Sequence, residues 1–483
     1  MAGYKHGVYT REVPTSLMVP VETDAGLPVY FGTAPVHLAT DPAAANRPVL
    51  CYNYGQAAAA LGYSVDWENY TLCEAMYVHF MLYGFTPIVL VNVLDPAVHK
   101  TAKSDQEITF TNKVAKLTVP VWLPSLKVKQ TSAGQPLTEG VDYIAAYNDD
   151  EELVITALEG GELEDETTAV CDFDQIDASA VDKDDVIGGV VTATGAKKGL
   201  EALSDVFPLL RLVPGNVLAP GWSDDPEVAA VMKAKAANIN ENFKAHVLTD
   251  VPTDTVRKYS DVPAWKENHN YTGENQMVCW PMCRLGDKIF HMSTQLMGDM
   301  MKTDSEKGGD IPYVSPSNQP LQIDGICLAD GTEVILGLGE ANYLNGQGIV
   351  TALNHIGGWR AWGDNTGCYP ANTDPKDFFI PIRRMFNWEE NNFIMTLWNK
   401  VDNPMNKRLV QTAVDTWNIR YNGLTALGAI LGGRIEFVSD ENPLTGLMGG
   451  KMVFHHYMSP PPPAKEIEGV FEYDPSYLNT LFS

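Results

Sequence analysis

Cys279-Trp-Pro-Met-Cys283, with His291 a short way downstream, is the arrangement in this sequence most suggestive of a metal. Thiolates and an imidazole suit zinc, but a tetrahedral site needs three or four converging groups and no second cysteine pair occurs. Two buried free thiols is the better reading. Cys51, Cys73, Cys171, Cys327 and Cys368 show no pairing pattern, and an odd total of seven suits a reducing compartment. Asp172, Asp174 and Asp177 could offer oxygens to calcium, yet the stretch lacks the glycine and closing glutamate of an EF-hand, so a solvated acidic surface is favoured. Gly195-Ala-Lys-Lys-Gly199 misses the spacing of a phosphate loop. Gly337-Leu-Gly339 is half of a dinucleotide fingerprint and reads as a turn. No nucleophile-elbow sequence accompanies the ten histidines. His455 and His456 fall in one strand, where alternation sends their rings to opposite faces. No catalytic residue, cofactor or metal is expected.

The elements that would have to position such groups alternate between helix and strand, which implies a mixed α/β core. Residues 1–20 read as an extended arm, with strand-type residues from Gly7 to Val13 halted by Pro14. Residues 28–32 form another strand. Leu72, Ala75, Met76, His79, Phe80 and Tyr83 recur at helical spacing over 71–83, Gly84 stops the helix, and 88–93 is a buried strand. Between 101 and 195 the pattern changes to short strands, such as 108–111 and 153–156. Helix and strand resume with a helix at 198–206, a strand at 209–213, a helix at 227–243 and a strand at 245–248. Residues 341–359 are helical in part. The clearest periodicity lies over 403–431, where Leu409, Ala413, Trp417, Leu424, Leu427 and Leu431 share a face, although Asn422-Gly423 could divide it. Lys407, Gln411 and Asn418 fall opposite that stripe, whereas Arg420 falls inside it and needs a carboxylate partner. A strand at 451–457, a stiff spacer at Pro460-Pro461-Pro462-Pro463 and an alternating strand at 466–472 complete the chain.

Its 483 residues suffice for about three domains at roughly 150 residues each. Against 34 basic residues stand 61 acidic ones, a net charge of −27 that argues against nucleic-acid binding. No secretory signal opens the sequence and its longest apolar run, 88–94, is too short to cross a bilayer. A protein made in a cytoplasm and soluble there is expected. Residues 139–185 hold seventeen acidic side chains and one lysine, whereas 100–129 hold six lysines against Asp105 and Glu107. Such a shift marks a separate inserted module.

The opening Gly7-Val8-Tyr9-Thr10-Arg11-Glu12-Val13-Pro14 resembles the start of contractile tail sheath proteins, as does the strand that ends before Ala34-Pro35. Tyr54-Gly55, Leu61-Gly62, Gly199-Leu200 and Val213-Pro214-Gly215 follow in the family's order. Leu344-Asn345, Gly348-Ile349, Gly358, Trp362-Gly363 and Thr366 are similar to its Leu-Asn, Gly-Ile and Trp-Gly-x-Arg-Thr pattern, with Asn365 in place of the arginine. Residues 379–384 resemble its paired-arginine strand, and Asn403-Pro404 and Gly428-Ala429-Ile430-Leu431-Gly432 the ends of its long helix. The resemblance covers both ends and most of the core, omitting 101–195.

It implies a sheath-type α/β core with an inserted β-rich domain and extended N- and C-terminal strand arms. The divisions expected are an arm at 1–26, core at 27–100, an acidic insertion at 101–195, core at 196–340, a tube-proximal domain at 341–450 and a second arm at 451–483. The family forms stacked hexameric rings around a tail tube and contracts to drive the tube into a target envelope. Partners implied are further copies of the chain, the tube protein, and baseplate and terminator proteins, in a virion tail or phage-like particle assembled in a bacterial cytoplasm, without nucleic-acid binding or membrane insertion. Both chain ends read as strands without partners, and the residues alone leave open whether they complete their own core or a neighbour's sheet. The resemblance favours the neighbour, through Gly7, Val8, Tyr9, Thr10, Arg11, Glu12, Val13, Val453, Phe454, Tyr457, Ile467, Val470, Phe471 and Tyr473. It makes Lys407 and Arg408 candidates to face the tube. The other readings are a baseplate or tube-related subunit and, in a different class, an α/β enzyme with a site assembled from loops.

Overall fold

Short, buried and mostly apolar segments build the centre of the molecule, a computed structural model that describes residues 20–482. Gly7, Val8, Tyr9, Thr10, Arg11, Glu12 and Val13 lie outside the described residues. Pro28–Gly32 and Ile88–Asn92 are buried along their whole length, as strands covered on both faces must be. They belong to an eight-stranded sheet in the order Val49–Cys51, Ile88–Asn92, Pro28–Gly32, Asn216–Leu218, His246–Asp250, Gln276–Cys279, Ile349–His355, Gly358–Trp362. The inner pairings are parallel, and the first and last strands add antiparallel edges.

Strand alternation divides the interior into two cores. Tyr30, Leu90, Leu218 and Leu248 meet the helices Leu72–Met76, Tyr77–Tyr83 and Met292–Thr303 on one side. Val29, Phe31, Val89, Val91 and Val247 meet Gly199–Asp205, Val206–Leu210 and Pro226–Ala236 on the other. A helix comes so close to the sheet that a Cβ on Gly32 would sit 2.2 Å from Thr71 Oγ1.

Between the first strands and the rest lie two further three-stranded sheets, one of Lys100–Thr109, Thr168–Ile176 and Lys127–Lys129 and one of Val114–Leu117, Leu153–Ala157 and Tyr143–Tyr147. They enclose a separate apolar cluster that includes Ile108, Val128, Tyr143, Leu153, Ile155 and Phe173. Its lysines meet its own acidic residues: Lys100 to Asp174 at 2.6 Å, Lys113 to Glu164 at 2.8 Å and Lys129 to Asp172 at 2.8 Å. Ile176, Val181 and Val186, further along, pack into the second core of the main sheet instead.

Lys407–Leu427 is one unbroken helix, begun by the Asn406 side chain accepting from Leu409 N and ended by Gly428 in the left-handed region. Asn422 and Gly423 are exposed and do not divide it. It packs on Gly432–Glu436, which pairs antiparallel with His455–Ser459. Trp417, Tyr421, Leu424, Ile430 and Ile435 fill the space with Met385 and Trp388.

Several expectations need correction. Residues 379–384 are not a strand: Ile380–Leu397 is a helix with Pro381 in its first turn, where a missing N–H does no harm. Residues 209–213 close the helix Val206–Leu210, and the strand comes after Pro214-Gly215, at Asn216–Leu218. The helix expected within 341–359 is Leu338–Asn345, after which the chain forms the hairpin Ile349–His355 and Gly358–Trp362. Leu427 and Leu431 are 67% and 68% exposed rather than part of the buried stripe. Asn418 is turned inward, its Oδ1 accepting from Ile435 N at 3.0 Å. The strand of 451–457 is His455–Ser459, and 466–472 forms no strand pairing among the described residues.

Candidate assembly surface

The helix Ile380–Leu397 has an unusual composition for a buried element, since Arg383, Arg384, Asn387, Glu389, Asn391, Asn392 and Thr396 are all buried with Trp388. Each buried polar group needs a partner. Arg384 takes Asp304, Nη1 to Oδ1 at 3.0 Å, and Arg383 donates to Asn387 Oδ1 at 2.7 Å. Asn387 Nδ2 donates to Asn275 Oδ1 at 2.9 Å and lies 3.0 Å from His246 Nε2, and Asn391 bonds Lys244 N and O at 3.0 and 2.8 Å. Burial holds the His246 ring neutral, its pKa well below the usual value. The helix is thereby bolted to the beginnings of two central strands.

The same helix receives the N-terminal segment. Val21 N donates to Thr396 Oγ1 at 2.9 Å, Thr23 N to Asn392 Oδ1 at 2.6 Å, and Trp388 Nε1 to Thr23 O at 2.8 Å. Arg420, expected to need a carboxylate, has two: Nε donates to Glu389 at 2.9 Å and Nη1 to Glu22 at 2.7 Å. Its guanidinium lies 4.7 Å from the Trp388 ring centroid.

At the start of the helix sits the C-terminal segment. Lys465 Nζ is 3.0 Å from Asp364 Oδ1 and also donates to Asn365 Oδ1. It stands 4.8, 5.5 and 5.6 Å from the ring centroids of Phe379, Phe378 and Tyr369. Immediately beyond this anchor the chain is bare: Ile467, Val470, Phe471 and Tyr473 are 89, 85, 98 and 75% exposed. Pro475–Phe482 then forms a 3-10 helix.

The remaining candidate residues separate. Val453 bonds Asn442 through both its N and O, at 2.8 and 2.9 Å, and Phe454 packs on Phe393 and Phe437. Tyr457 pairs with Arg434 in register, under a guanidinium 3.8 Å from its ring centroid. These three are engaged within the chain. His455 and His456 do point apart, to Glu441 at 2.6 Å and to the Tyr421 hydroxyl at 2.7 Å. Lys407 and Arg408 are exposed in the first turn of their helix. Two cations there oppose the helix dipole, an arrangement that an anionic partner would relieve.

A cleft of about 510 Å³ opens at the carboxyl ends of the parallel strands, lined in part by Glu74, Asp224, Asp250 and His291. Two of its acids, Glu74 and Asp250, are committed to holding the fold. Glu74 accepts from both His291 N at 2.8 Å and Nδ1 at 2.7 Å, and Asp250 accepts from Ser293 N at 3.0 Å. Burial opposes charge on His291, but the Glu74 carboxylate and its hydrogen bond, with Asp250 and Asp224, raise its pKa to about 9. Cys279 and Cys283 are buried, and burial pushes both thiols well above the usual range. Among the described residues no group of three or more His, Cys, Asp or Glu side chains converges to hold a metal, and no helix is long and apolar enough to cross a membrane.

The sequence reading missed Glu22, Lys465 and the polar face of Ile380–Leu397. One signal was present for Lys465: after Lys451 it is the sole lysine or arginine in the sequence, separated from the proline run by Ala464 alone.

No family model matches the chain. The tail sheath protein of Burkholderia phage BcepMu is 27% identical over 494 aligned residues, covering 99% of each chain. Among solved structures, the contracted sheath complex of the extracellular contractile injection system PVC superposes with a TM-score of 0.58 at 12% identity, over 99% of both chains. The contracted helical sheath of the anti-feeding prophage gives 0.57 at 15% identity, over 97% of this chain and 99% of that one. Those structural likenesses carry the fold, and the full-length sequence match carries the rest: the chain belongs to the tail sheath protein family, as a structural, non-enzymatic subunit of a contractile phage tail or contractile injection system.

Proposed function

We propose that copies of this chain stack as hexameric rings around an inner tail tube and shorten on triggering, driving the tube through a target cell envelope. The supporting observation is the segment 466–474, which leaves a fixed anchor at Lys465 and carries four large apolar side chains into solvent. A solitary alternating strand is unstable in water and finds its backbone partners on a sheet edge. Gly432–Glu436 and His455–Ser459 form a two-stranded sheet, which offers such edges to a neighbour. In this reading Ile467, Val470, Phe471 and Tyr473 are donated, Val453, Phe454 and Tyr457 belong to the receiving side, and residues 7–13 are the counterpart arm. Residues 341–450 lie towards the tube, with Lys407 and Arg408 meeting acidic groups on it, and the acidic insertion at 101–195 faces outward. Baseplate and terminator proteins close the ends of a tail assembled in a bacterial cytoplasm.

Truncation before Pro460 tests the reading. The shortened protein should stay soluble and melt close to the full chain, yet form no tubes under conditions where the full chain forms long hollow polymers by negative-stain microscopy. A truncated protein that polymerises normally refutes arm exchange. One that unfolds places the arm in its own core.

A further inference from the structure

Both chain ends are fastened to one helix before they leave the body. The C-terminal root is held where Ile380–Leu397 begins: Lys465 Nζ lies between Asp364 and the rings of Phe378, Phe379 and Tyr369. Phe379 is the residue that caps this helix, and Asp364 O accepts from Ile380 N at 2.9 Å. The N-terminal root is held further along by Trp388, Asn392 and Thr396, with Glu22 tied to Arg420. From Phe379 to Asn392 is roughly 20 Å of helix. The buried face of that helix is tied in turn to the starts of the central strands through Asn387 and Asn391.

We propose that the Ile380–Leu397 helix is a strut joining the two arm roots, with Lys465 latching one and Glu22–Thr23 the other, so that tension on one arm passes through the helix to the second. The proposal rests on the reading that the arms join subunits. A lysine between a carboxylate and three aromatic faces is a directional anchor, because the ammonium loses water on one side while both charge and ring quadrupoles replace it. The proline run from Pro460 to Pro463 is therefore pinned at both ends, by the strand His455–Ser459 before it and Lys465 after it. Free movement of the arm starts at Glu466, not at the end of the strand. Two latches on one stiff rod act in series: opening either one releases the load, and opening the second adds little.

Two measurements separate the latch, the strut and the arm reading. In the unassembled full chain, nitroxide labels at Glu466→Cys and Asn318→Cys report the C-terminal root, and the seven native cysteines are buried. The distance distribution should be narrow, broaden about twofold or more with Lys465→Ala, and narrow again with Lys465→Arg. No broadening in Lys465→Ala overturns the latch. In assembled tubes, Lys465→Ala alone and Glu22→Ala with Asn392→Ala alone should each speed break-up in urea about 10-fold, and all three together no more than about 2-fold further. Multiplying effects, about 100-fold together, overturn the strut. If the unaltered chain forms no lattice, the arm reading falls and takes the strut with it, whereas the latch is still decided by the labels in the soluble protein.

Discussion

His291 hangs from Glu74 by two bonds at once, its backbone N donating to Oε1 at 2.8 Å and its ring Nδ1 to Oε2 at 2.7 Å. The pair fixes the start of helix Met292–Thr303 against helix Leu72–Met76, two elements more than 200 residues apart in the chain. Folded His291 keeps its proton to about pH 9, against the ordinary 6.5. Its contribution is thus complete below pH 6.5 and is lost as pH rises through 9, an effect of about 3 kcal/mol at most. Melting temperature should fall between pH 6.5 and 9, and His291→Gln should flatten that slope. An identical slope in the variant would remove the pair as its cause.

Asp299 is a buried defect. Neither carboxylate oxygen has a protein hydrogen-bond partner, and Gln295 Nε2, one turn earlier, has none either. Burial pushes the Asp299 pKa well above the usual range, a penalty on its charged form that the folded protein carries. That penalty grows as pH rises above the ordinary aspartate value of 3.8. Asp299→Asn should therefore stabilise the protein by about 1–3 kcal/mol at pH 7, read from the urea midpoint, with a smaller gain at pH 4.

Arg420 should show strongly unequal dependence on its two carboxylates. Glu389 is buried, whereas the Glu22 side chain is 64% exposed. Arg420→Ala strands the Glu389 charge and should cost about 3–5 kcal/mol. Glu22→Gln should cost under about 1 kcal/mol. Arg420→Met with Glu389→Leu should recover much of the first loss, as measured by denaturant unfolding.

Reversing Lys407 and Arg408 to glutamate should move stability and assembly in opposite directions. Carboxylates in the first helical turn suit the dipole, so the isolated subunit should gain about 0.3–1 kcal/mol. Tube-templated assembly should weaken, most at low salt, where charge pairing across the contact is least screened. Assembly unchanged from low to moderate salt would count against these residues facing the tube.

Deletion of the insertion should depend sharply on where it ends. Thr101 pairs with Gln175 across antiparallel strands, so removing 102–174 and joining the ends through two glycines leaves little gap to close. That protein should fold and polymerise. Extending the deletion to 195 also removes buried Val181 and Val186 from the main core and should cost about 1.5–3 kcal/mol for each valine. Loss of polymerisation with the shorter deletion would make the insertion a lattice contact.

Much of the core was legible because its signals are local. Residues 28–32 and 88–91 are apolar without interruption, which is what a strand buried on both faces requires. The helix after residue 71 stopped at Gly84 as read, with the glycine in the left-handed region. Arg420 announced its need for a carboxylate by lying within an apolar stripe. Errors arose where local pattern and tertiary demand part. Residues 379–384 look extended, yet Pro381 starts a helix there because Arg383 and Arg384 can then reach Asp377 and Asp304. Leu427 ends the helical stripe yet stays exposed, since periodicity marks a face for burial without saying whether its own chain covers it, and Leu431 falls past the Gly428 cap where the period no longer applies.

By itself the sequence determined the α/β class, the central strands near 28–32, 88–93 and 245–248, the helical periodicity that follows residue 403 and, through the order of its motifs, the sheath family. Those features rest on neighbours a few residues apart, where spacing is set by helix and strand geometry. Tertiary structure alone decided that Lys465 meets Asp364 and three aromatic rings, that Glu22 meets Arg420, and that one polar helix receives both. Such contacts join residues up to 398 positions apart, and no local period encodes them. The N-terminal contacts form because burying Ile380–Leu397 leaves Trp388, Asn392 and Thr396 in need of partners, which residues 21–23 supply, whereas Lys465 finds its carboxylate and rings just before that helix begins.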